Sequence, residues 1–192
     1  MRLHQPRPAL EALERFLAEP GVAQAVASRH VLPAREALFA PVPEWLDARL
    51  VRAIERRGIR ALYSHQREAL DALHTGEDVV IVTPTASGKS LCYNLPVLQE
   101  ISEDPAARAL YLFPTKALSQ DQLAEFRDLS ELARMELSAA VYDGDTPTPI
   151  RAMVREAGQV VVTNPDMPVS YTHLRAHETE RLIAYAVFCL KS

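Results

Sequence analysis

The chain has 192 residues, of which 48% are hydrophobic, and 25 acidic side chains against 21 basic ones give it a formal charge of −4. This length and apolar content suit one globular domain with a buried core, and they exclude a disordered or a collagen-like chain. No apolar run of about 18 residues and no secretory leader pattern is present, so we expect a cytoplasmic protein without a membrane span. Cys92 and Cys189 lie far apart and outside any Cys/His cluster, which predicts buried free thiols.

The first 60 residues predict a helical extension. Apolar residues recur at helical spacing after Pro8 until Pro20-Gly21 interrupts the pattern. After a proline-spaced stretch, a second helical pattern begins at Trp45 and ends at Gly58. We expect this second helix to pack on the domain that follows.

From Tyr63 onward, helical patterns alternate with short apolar strand patterns. A helix that begins at Ser64 is followed by a strand over 78–82 that we expect to be fully buried, and by a helix from Lys89. Further strands are predicted at 108–113, 138–142 and 159–163, and further helices at 116–133 and 147–158. This alternation implies right-handed βαβ crossovers and a parallel sheet with helices on both faces. The predicted fold class is α/β.

Residues 83–90, with the letters TPTASGKS, lie between a predicted strand and a predicted helix. They match a phosphate-binding P-loop, except that Thr83 stands where the strict pattern has glycine. Successive backbone N–H groups in such a loop bind phosphate oxygens at the positive end of a helix. The candidate nucleotide-binding residues are Thr85, Ala86, Ser87, Gly88, Lys89 and Ser90.

Two of these residues are also candidates for catalysis. The Lys89 ammonium group can neutralise the outer phosphates, and the Ser90 hydroxyl can ligate the Mg²⁺ ion that bridges them. The alternative is an ordinary strand-to-helix turn, but the flanking strand and helix patterns favour nucleotide binding.

Three more motifs accompany the P-loop in the sequence. They are LYSHQ at 62–66, FPTKAL at 113–118 and TNPDM at 163–167. In this order the four motifs resemble those of superfamily 2 helicases, in particular the DEAD/DEAH-box DNA helicases of the bacterial mitomycin-repair type, which are RecQ-related. The resemblance covers residues 30–167. It implies a RecA-like motor domain that uses ATP and Mg²⁺ to move along DNA, in DNA repair; an RNA substrate is not excluded.

The resemblance also assigns roles to single residues. Gln66 matches the glutamine that reads the adenine edge in such helicases, and a carboxamide can donate and accept there at once. Tyr63 is either a second contact to the base or a core residue. The family also has loops that contact single-stranded or duplex DNA through hydroxyls, backbone amides and one ammonium group. The matching residues here are Pro114, Thr115, Lys116, Gly144, Thr146, Thr163 and Asn164.

One family motif is missing. The family's next strand ends in Asp-Glu-x-His, whose acidic pair holds magnesium, and no Asp-Glu dipeptide occurs in the 192 residues. Residues 168–192 do not continue the strand–helix rhythm, and we interpret them as a tail outside the fold, either translated sequencing-adapter read-through or a divergent helix. The expected organisation is an extension at 1–60, a partial motor domain at 61–167 and this tail. Without the acidic motif, and without a second motor domain that supplies an arginine finger, the chain alone is expected to be inactive.

Two other functions stay open at this point. A stand-alone P-loop kinase or other small NTPase predicts an arginine-rich lid and an acidic strand end, and neither stands out. A non-enzymatic nucleic-acid-binding module would use the loops at 114–118 and 163–166, and its binding would not depend on Lys89.

Overall fold

A computed structural model describes residues 8–30, 36–83, 87–164 and 182–186. The chain forms two compact units, residues 1–36 and 37–192. The division falls at residue 36 and not near 60, because the helix Ala48–Arg56 packs against Lys116–Leu132 within the second unit. None of the described helices is long and apolar enough to cross a membrane.

The first unit contains two short helices. α1 (Pro8–Leu17) confirms the helix predicted after Pro8, and α2 (Pro20–Ala25) begins with a proline, whose fixed φ suits a first helical turn. Leu10, Leu13 and Phe16 lie on one side of α1 and are each at least 43% exposed.

The second unit begins with an antiparallel strand pair and continues as an alternation of helices and strands. In chain order its elements are β1 (Phe39–Ala40), α3 (Ala48–Arg56), β2 (Leu62–Tyr63), α4 (Ser64–His74), α5 (Lys89–Glu103), β3 (Arg108–Leu112), α6 (Lys116–Leu132), β4 (Ala139–Val141), α7 (Thr148–Ala157), β5 (Val160–Thr163) and β6 (Leu182–Ala186).

The main sheet is parallel, with the strand order β4-β5-β3-β6, and this confirms the predicted α/β class. β3 pairs with β5 in the register Ala109 to Val160, and with β6 in the register Arg108 to Leu182. The prediction that 168–192 lies outside the fold is therefore wrong for 182–186. This five-residue segment satisfies the backbone N–H and C=O groups of one edge of β3.

The core lies between the sheet and helices α3, α5 and α6. Its centre is a group of aromatic rings on β3 and these helices: Tyr111 contacts Tyr93, Phe113 and Phe126 edge-on, with ring centroids 5.5, 6.1 and 5.9 Å away. Cys92 is a buried free thiol, as predicted, and burial raises its pKa to about 11. Cys189 lies outside the described residues.

Three helices end with a residue in the left-handed region of backbone space. Gly58 after α3 has φ +79° and Gly76 after α4 has φ +83°, as expected because glycine lacks the Cβ atom that disfavours this conformation. The third, Arg134 after α6, has φ +56° and is the only non-glycine residue with positive φ in the described part of the chain.

The strand predicted at 78–82 does not form. Residues 77–83 have no regular secondary structure, and Val80 and Val82 are each 90% exposed. An apolar run becomes a buried parallel strand only when neighbouring strands accept its hydrogen bonds, and none of the described strands pairs with it.

Candidate functional site

The P-loop turns into α5 at Gly88, which has φ +73° and ψ +30°. A Cβ atom at this position would lie 2.5 Å from Gln66 Nε2. Both the left-handed backbone and the close approach therefore require glycine here. Pro84, Thr85 and Ala86, two of which are predicted nucleotide contacts, lie outside the described residues.

Gln66 connects the start of α4 to the P-loop. Its Nε2 donates to the Gly88 carbonyl at 2.8 Å, and its Oε1 accepts from the Tyr63 N–H at 2.9 Å. The side chain is only 3% exposed. Its carboxamide thus aligns two segments of the chain, while the predicted adenine contact stays a prediction. His65 adds a second link, with Nε2 at 3.1 Å from the Ser87 carbonyl oxygen.

Lys89 reaches back across the loop to Thr83. Its Nζ donates to the Thr83 carbonyl at 2.9 Å and lies 3.4 Å from Thr83 Oγ1, which in turn is 2.6 Å from Ser87 Oγ. The threonine that replaces the usual glycine therefore contacts both the lysine and the loop serine. These contacts bring the P-loop ammonium group and two hydroxyls together at the start of α5.

Ser90 contacts an acidic residue that the motifs did not indicate. Its hydroxyl donates to Glu125 Oε1 on α6 at 2.7 Å. Arg57 holds the same segment, since its Nη2 donates to the Glu125 carbonyl at 3.1 Å and also pairs with Asp128. Nothing in the spacing of Glu125 distinguishes it from the other polar residues of α6, so only the tertiary structure identifies it.

The residues that hold a P-loop magnesium ion in the family include an acidic pair. Within 8–30, 36–83, 87–164 and 182–186, no three His, Cys, Asp or Glu side chains lie close enough together to form a metal site. The donors near the P-loop are the Ser90 hydroxyl and the Glu125 carboxylate, which are oxygen ligands of the kind that Mg²⁺ prefers. The Ser90 hydroxyl, which Glu125 orients, fits as one ligand of such an ion and would leave most positions to phosphate and water.

The predicted strand-gripping loops at 114–118 and 143–146 meet at one open cavity of about 500 Å³. Lys116, Asp143, Asp145 and Thr146 are among its lining residues. Pro114, Thr115 and Gly144 are exposed beside it, and the Thr115 hydroxyl caps α6 by accepting from the Leu118 N–H at 3.2 Å.

Lys116 forms an ion pair with Asp145 across this cavity, with 2.5 Å between Nζ and Oδ2. The hydrogen bond between them lowers the pKa of Asp145 and raises the pKa of Lys116. Both side chains are more than half exposed, so the pair is easily screened by salt. Asp145 therefore competes with a nucleic-acid phosphate for the Lys116 ammonium group.

Thr163 differs from its predicted role. It is 4% exposed, and its hydroxyl donates to the Tyr142 carbonyl at 2.6 Å. The hydroxyl thus holds the end of β4 against β5 and is buried, so it has a structural partner in place of an exposed one. Asn164, the next predicted contact, is half-buried. Thr146 has a similar structural use, because its Oγ1 accepts from the Asp143 N–H at 2.9 Å and closes the loop.

A parallel α/β sheet with a glycine-containing turn, a lysine and a serine at a helix start defines a P-loop nucleotide-binding domain. Comparison with known proteins makes this more specific. The family model "DEAD/DEAH box helicase" matches residues 63–188. The chain belongs to the DEAD/DEAH box helicase family.

Relatives of this chain are named as helicases. The "Uncharacterized ATP-dependent helicase YprA" of Bacillus subtilis is 51% identical over 142 residues, which are 74% of this chain and 19% of the relative. The "ATP-dependent helicase HRQ1" of Saccharomyces cerevisiae is 46% identical over 107 residues, 55% of this chain and 10% of the relative.

A solved structure is similarly related. A crystal structure of the DUF1998 helicase MrfA bound to DNA and AMPPNP superposes with a TM-score of 0.70 at 48% identity, over 76% of this chain and 21% of that one. The chain thus spans about a fifth of the length of YprA and MrfA.

Proposed function

We propose that this chain is the ATP-binding part of the first motor domain of an ATP-dependent DNA helicase or translocase. The observation that carries the proposal is the P-loop turn, where Gly88 adopts φ +73° and Lys89 Nζ lies 2.9 Å from the Thr83 carbonyl. This arrangement places an ammonium group and backbone N–H groups at the start of a 15-residue helix, as phosphate binding requires. The MrfA structure with DNA and AMPPNP supports ATP and DNA as ligands.

Within this proposal each residue of the site has a role. The Gly88 backbone and its neighbours bind the phosphates, Lys89 neutralises the outer ones, and Ser90 ligates Mg²⁺ while its proton points to Glu125. Gln66 sets the position of the P-loop relative to α4.

We place the DNA contact at the cavity between the loops at 114–118 and 143–146. Lys116, the exposed Gly144 backbone and the Thr115 segment offer charge and amide donors there, and such contacts are independent of sequence. DNA rather than RNA is supported by the DNA-bound relative, and a role in DNA repair is supported by the sequence resemblance alone. A cytoplasmic location is supported only by the sequence pattern at the start of the chain and by the lack of a long apolar run.

We also propose that this chain by itself binds nucleotide but does not turn it over efficiently. The absence of an Asp-Glu dipeptide supports this, because phosphoryl transfer to water needs a second acidic ligand and an oriented nucleophile. The 90% exposure of Val80 and Val82 also supports it, since a strand that precedes a P-loop is expected to be covered in the intact motor.

The experiment combines nucleotide binding with steady-state ATPase activity, each with and without single-stranded DNA. We expect measurable Mg²⁺-dependent nucleotide binding that Lys89→Ala abolishes, and little turnover in any variant. Arg155→Ala is the matched control, because Arg155 is an exposed cation on α7 away from the P-loop sequence. Robust DNA-stimulated turnover that is lost in Lys89→Ala would show that the chain is already a complete catalyst. Nucleotide binding that is unchanged in Lys89→Ala would overturn the P-loop assignment.

A further inference from the structure

A second cationic site lies at the junction of α3 and α6, and no P-loop residue belongs to its lining. It is a cavity of about 250 Å³ with no acidic residue in its lining, which consists of Arg49, Arg52, Arg56, Leu132, Ala133 and Arg134. The first three arginines are spaced at i, i+3 and i+7, so they share one face of α3. We call the four arginines the arginine pocket.

Two arginines of the pocket are held in place and two are available. Arg49 pairs with Asp47 through two guanidinium nitrogens, and Arg56 Nη1 donates to the Leu132 carbonyl at 3.0 Å. Arg52 and Arg134 are exposed, and neither guanidinium group has a hydrogen bond or ion pair to another described residue. The pocket thus has a fixed frame and two guanidinium groups that can receive an anion.

The backbone at Arg134 is a second, independent observation. The Arg134 N–H donates to the Glu131 carbonyl and the Met135 N–H to the Ser130 carbonyl, both at 2.9 Å, which is the hydrogen-bond pattern of a Schellman cap. The equivalent positions after α3 and α4 are Gly58 and Gly76. An arginine in the left-handed region is less favourable than glycine, and residues held there often serve a function.

We propose that the arginine pocket binds backbone phosphates of nucleic acid, as a second contact in addition to the cavity at Lys116. α6 begins at Lys116 and Arg134 follows its other end, roughly 25 Å away along the helix axis. Because α6 follows the carboxyl end of β3 and precedes the amino end of the parallel strand β4, the two cationic sites lie at opposite ends of the strands. This proposal rests on the proposed function, because a DNA helicase or translocase is a protein that binds nucleic acid.

Charge and shape favour nucleic acid over an acidic protein segment. The chain carries a net charge of −4, so four arginines around one cavity are a local feature and not part of a generally basic surface. The lining offers only Leu132 and Ala133 as apolar contacts, whereas protein partners usually bury larger apolar anchors. Arg49 to Arg56 extends over about 10 Å of helix, a length in which duplex DNA carries about six phosphates.

The test measures binding of the 192-residue chain to fluorescent single-stranded DNA and to duplex DNA of the same length, over a series of salt concentrations. The variants are Arg52→Ala, Arg134→Gly and their combination, with Arg134→Lys as the charge-conserving variant and Arg155→Ala as the matched control on α7. We expect the combined variant to bind on the order of tenfold more weakly and its salt slope to fall by about two, since two phosphate contacts are lost. Arg134→Lys and Arg155→Ala should bind like the unmodified chain.

Arg134→Gly also separates binding from folding. Glycine is the preferred residue at this backbone position, so this variant should unfold at the same temperature as the unmodified chain or at a higher one. Weaker DNA binding without loss of stability is the result that supports the pocket. Should Arg134→Gly lower the unfolding temperature, the comparison of Arg52→Ala with Arg155→Ala still tests the proposal.

Lys116→Ala distinguishes the two DNA sites. Weaker binding in Lys116→Ala with no change in the combined pocket variant would overturn the pocket and leave the proposed function intact. The opposite result would support the pocket and count against the cavity at Lys116. No DNA binding by the unmodified chain would overturn both. Two other ligands serve as competitors. If polyglutamate binds as tightly as duplex DNA and its binding is lost in the same variants, the pocket binds an acidic protein and the proposal is overturned. If inorganic phosphate displaces duplex DNA at equal charge concentration, the pocket is a small-anion site and the proposal is also overturned.

Discussion

The Ser90 hydroxyl donates a hydrogen bond to Glu125 Oε1 across the interface between α5 and α6, at 2.7 Å. This orientation leaves the lone pairs of the Ser90 oxygen free for a cation, and the carboxylate increases the electron density of that oxygen. Arg57 anchors the same turn of α6 through the Glu125 carbonyl and Asp128. Glu125 is therefore a positioning residue for the hydroxyl that the P-loop motif assigns to magnesium.

Glu125→Ala is expected to reduce the Mg²⁺-dependent part of nucleotide affinity by about tenfold, because the Ser90 hydroxyl loses its acceptor. Glu125→Gln keeps an acceptor oxygen and should retain most of that affinity. The measurement is the ratio of nucleotide dissociation constants in Mg²⁺ and in chelator. Lys89→Ala should weaken binding in both conditions, and a Glu125→Ala variant that behaves the same way would contradict the positioning role.

Asp145→Asn is expected to raise affinity for single-stranded DNA about two- to threefold at low salt, because Lys116 is released from its ion pair and a repulsive carboxylate is removed. The gain should shrink as salt increases, since exposed charges are screened. Fluorescence anisotropy titrations measure it, with Glu156→Gln as a charge-matched control on α7. In a Lys116→Ala background most of the gain should disappear, and an undiminished gain there would show that the ion pair is irrelevant.

Gly88→Ala is expected to destabilise the chain and to abolish nucleotide binding, because the new Cβ atom combines an unfavourable φ with a 2.5 Å approach to Gln66 Nε2. Gly76→Ala is the matched control, since Gly76 has φ +83° but nothing within 4 Å of the added atom. Gly76→Ala should cost about 1 kcal/mol in the free energy of unfolding. Gly88→Ala should lower the free energy of unfolding by more than that. Equal losses for the two variants in denaturant titrations would show that the Gln66 side chain moves aside at no energetic cost.

Asp47 caps α3 by accepting from the Arg49 N–H at 2.7 Å, and its carboxylate also pairs with the Arg49 side chain. The Arg49 side-chain hydrogen bond lowers the pKa of Asp47 from 3.8 to about 2. Asp47→Ala should lower the free energy of unfolding by about 1 kcal/mol, whereas Asp47→Asn keeps the cap and should lose less.

The pH dependence of this effect has a definite sign. Because the folded pKa of Asp47 is below the unfolded one, its contribution is fully present above pH 3.8 and is lost as the pH falls towards about 2. The stability difference between the unmodified chain and Asp47→Asn should therefore narrow over this interval in acid titrations of unfolding. A difference that stays constant down to pH 2 would contradict the assignment.

Local signals in the sequence located most of the helices and the P-loop. Helices that begin at Ser64 and at Lys89 were predictable because apolar spacing, the P-loop motif before Lys89 and the glycine that follows the first helix are encoded within a few neighbouring positions. The glycine before Lys89 was predictable for the same reason, since its motif is local. The family also followed from four short motifs in order, and the family model that matches residues 63–188 confirms it.

Strand pairing and side-chain partners depend on residues far apart in the chain, and there the sequence was a weaker guide. The apolar run at 78–82 predicted a buried strand that does not form, whereas 182–186 joins β3 although its surroundings predicted a tail. The motif predicted that Thr163 contacts DNA, but in the structure its hydroxyl donates a hydrogen bond to the carbonyl of Tyr142 on the neighbouring part of the sheet.

The sequence by itself therefore determined the chemistry that this chain carries: a lysine, a serine and a left-handed glycine at a helix start, within a helicase family. Only the tertiary structure decided which groups meet. It brings Glu125 to Ser90, Asp145 to Lys116 and Arg134 to the arginines of α3. The physical reason is range: capping and backbone conformation are set by adjacent residues, whereas charge partners are set by packing between elements that lie tens of residues apart.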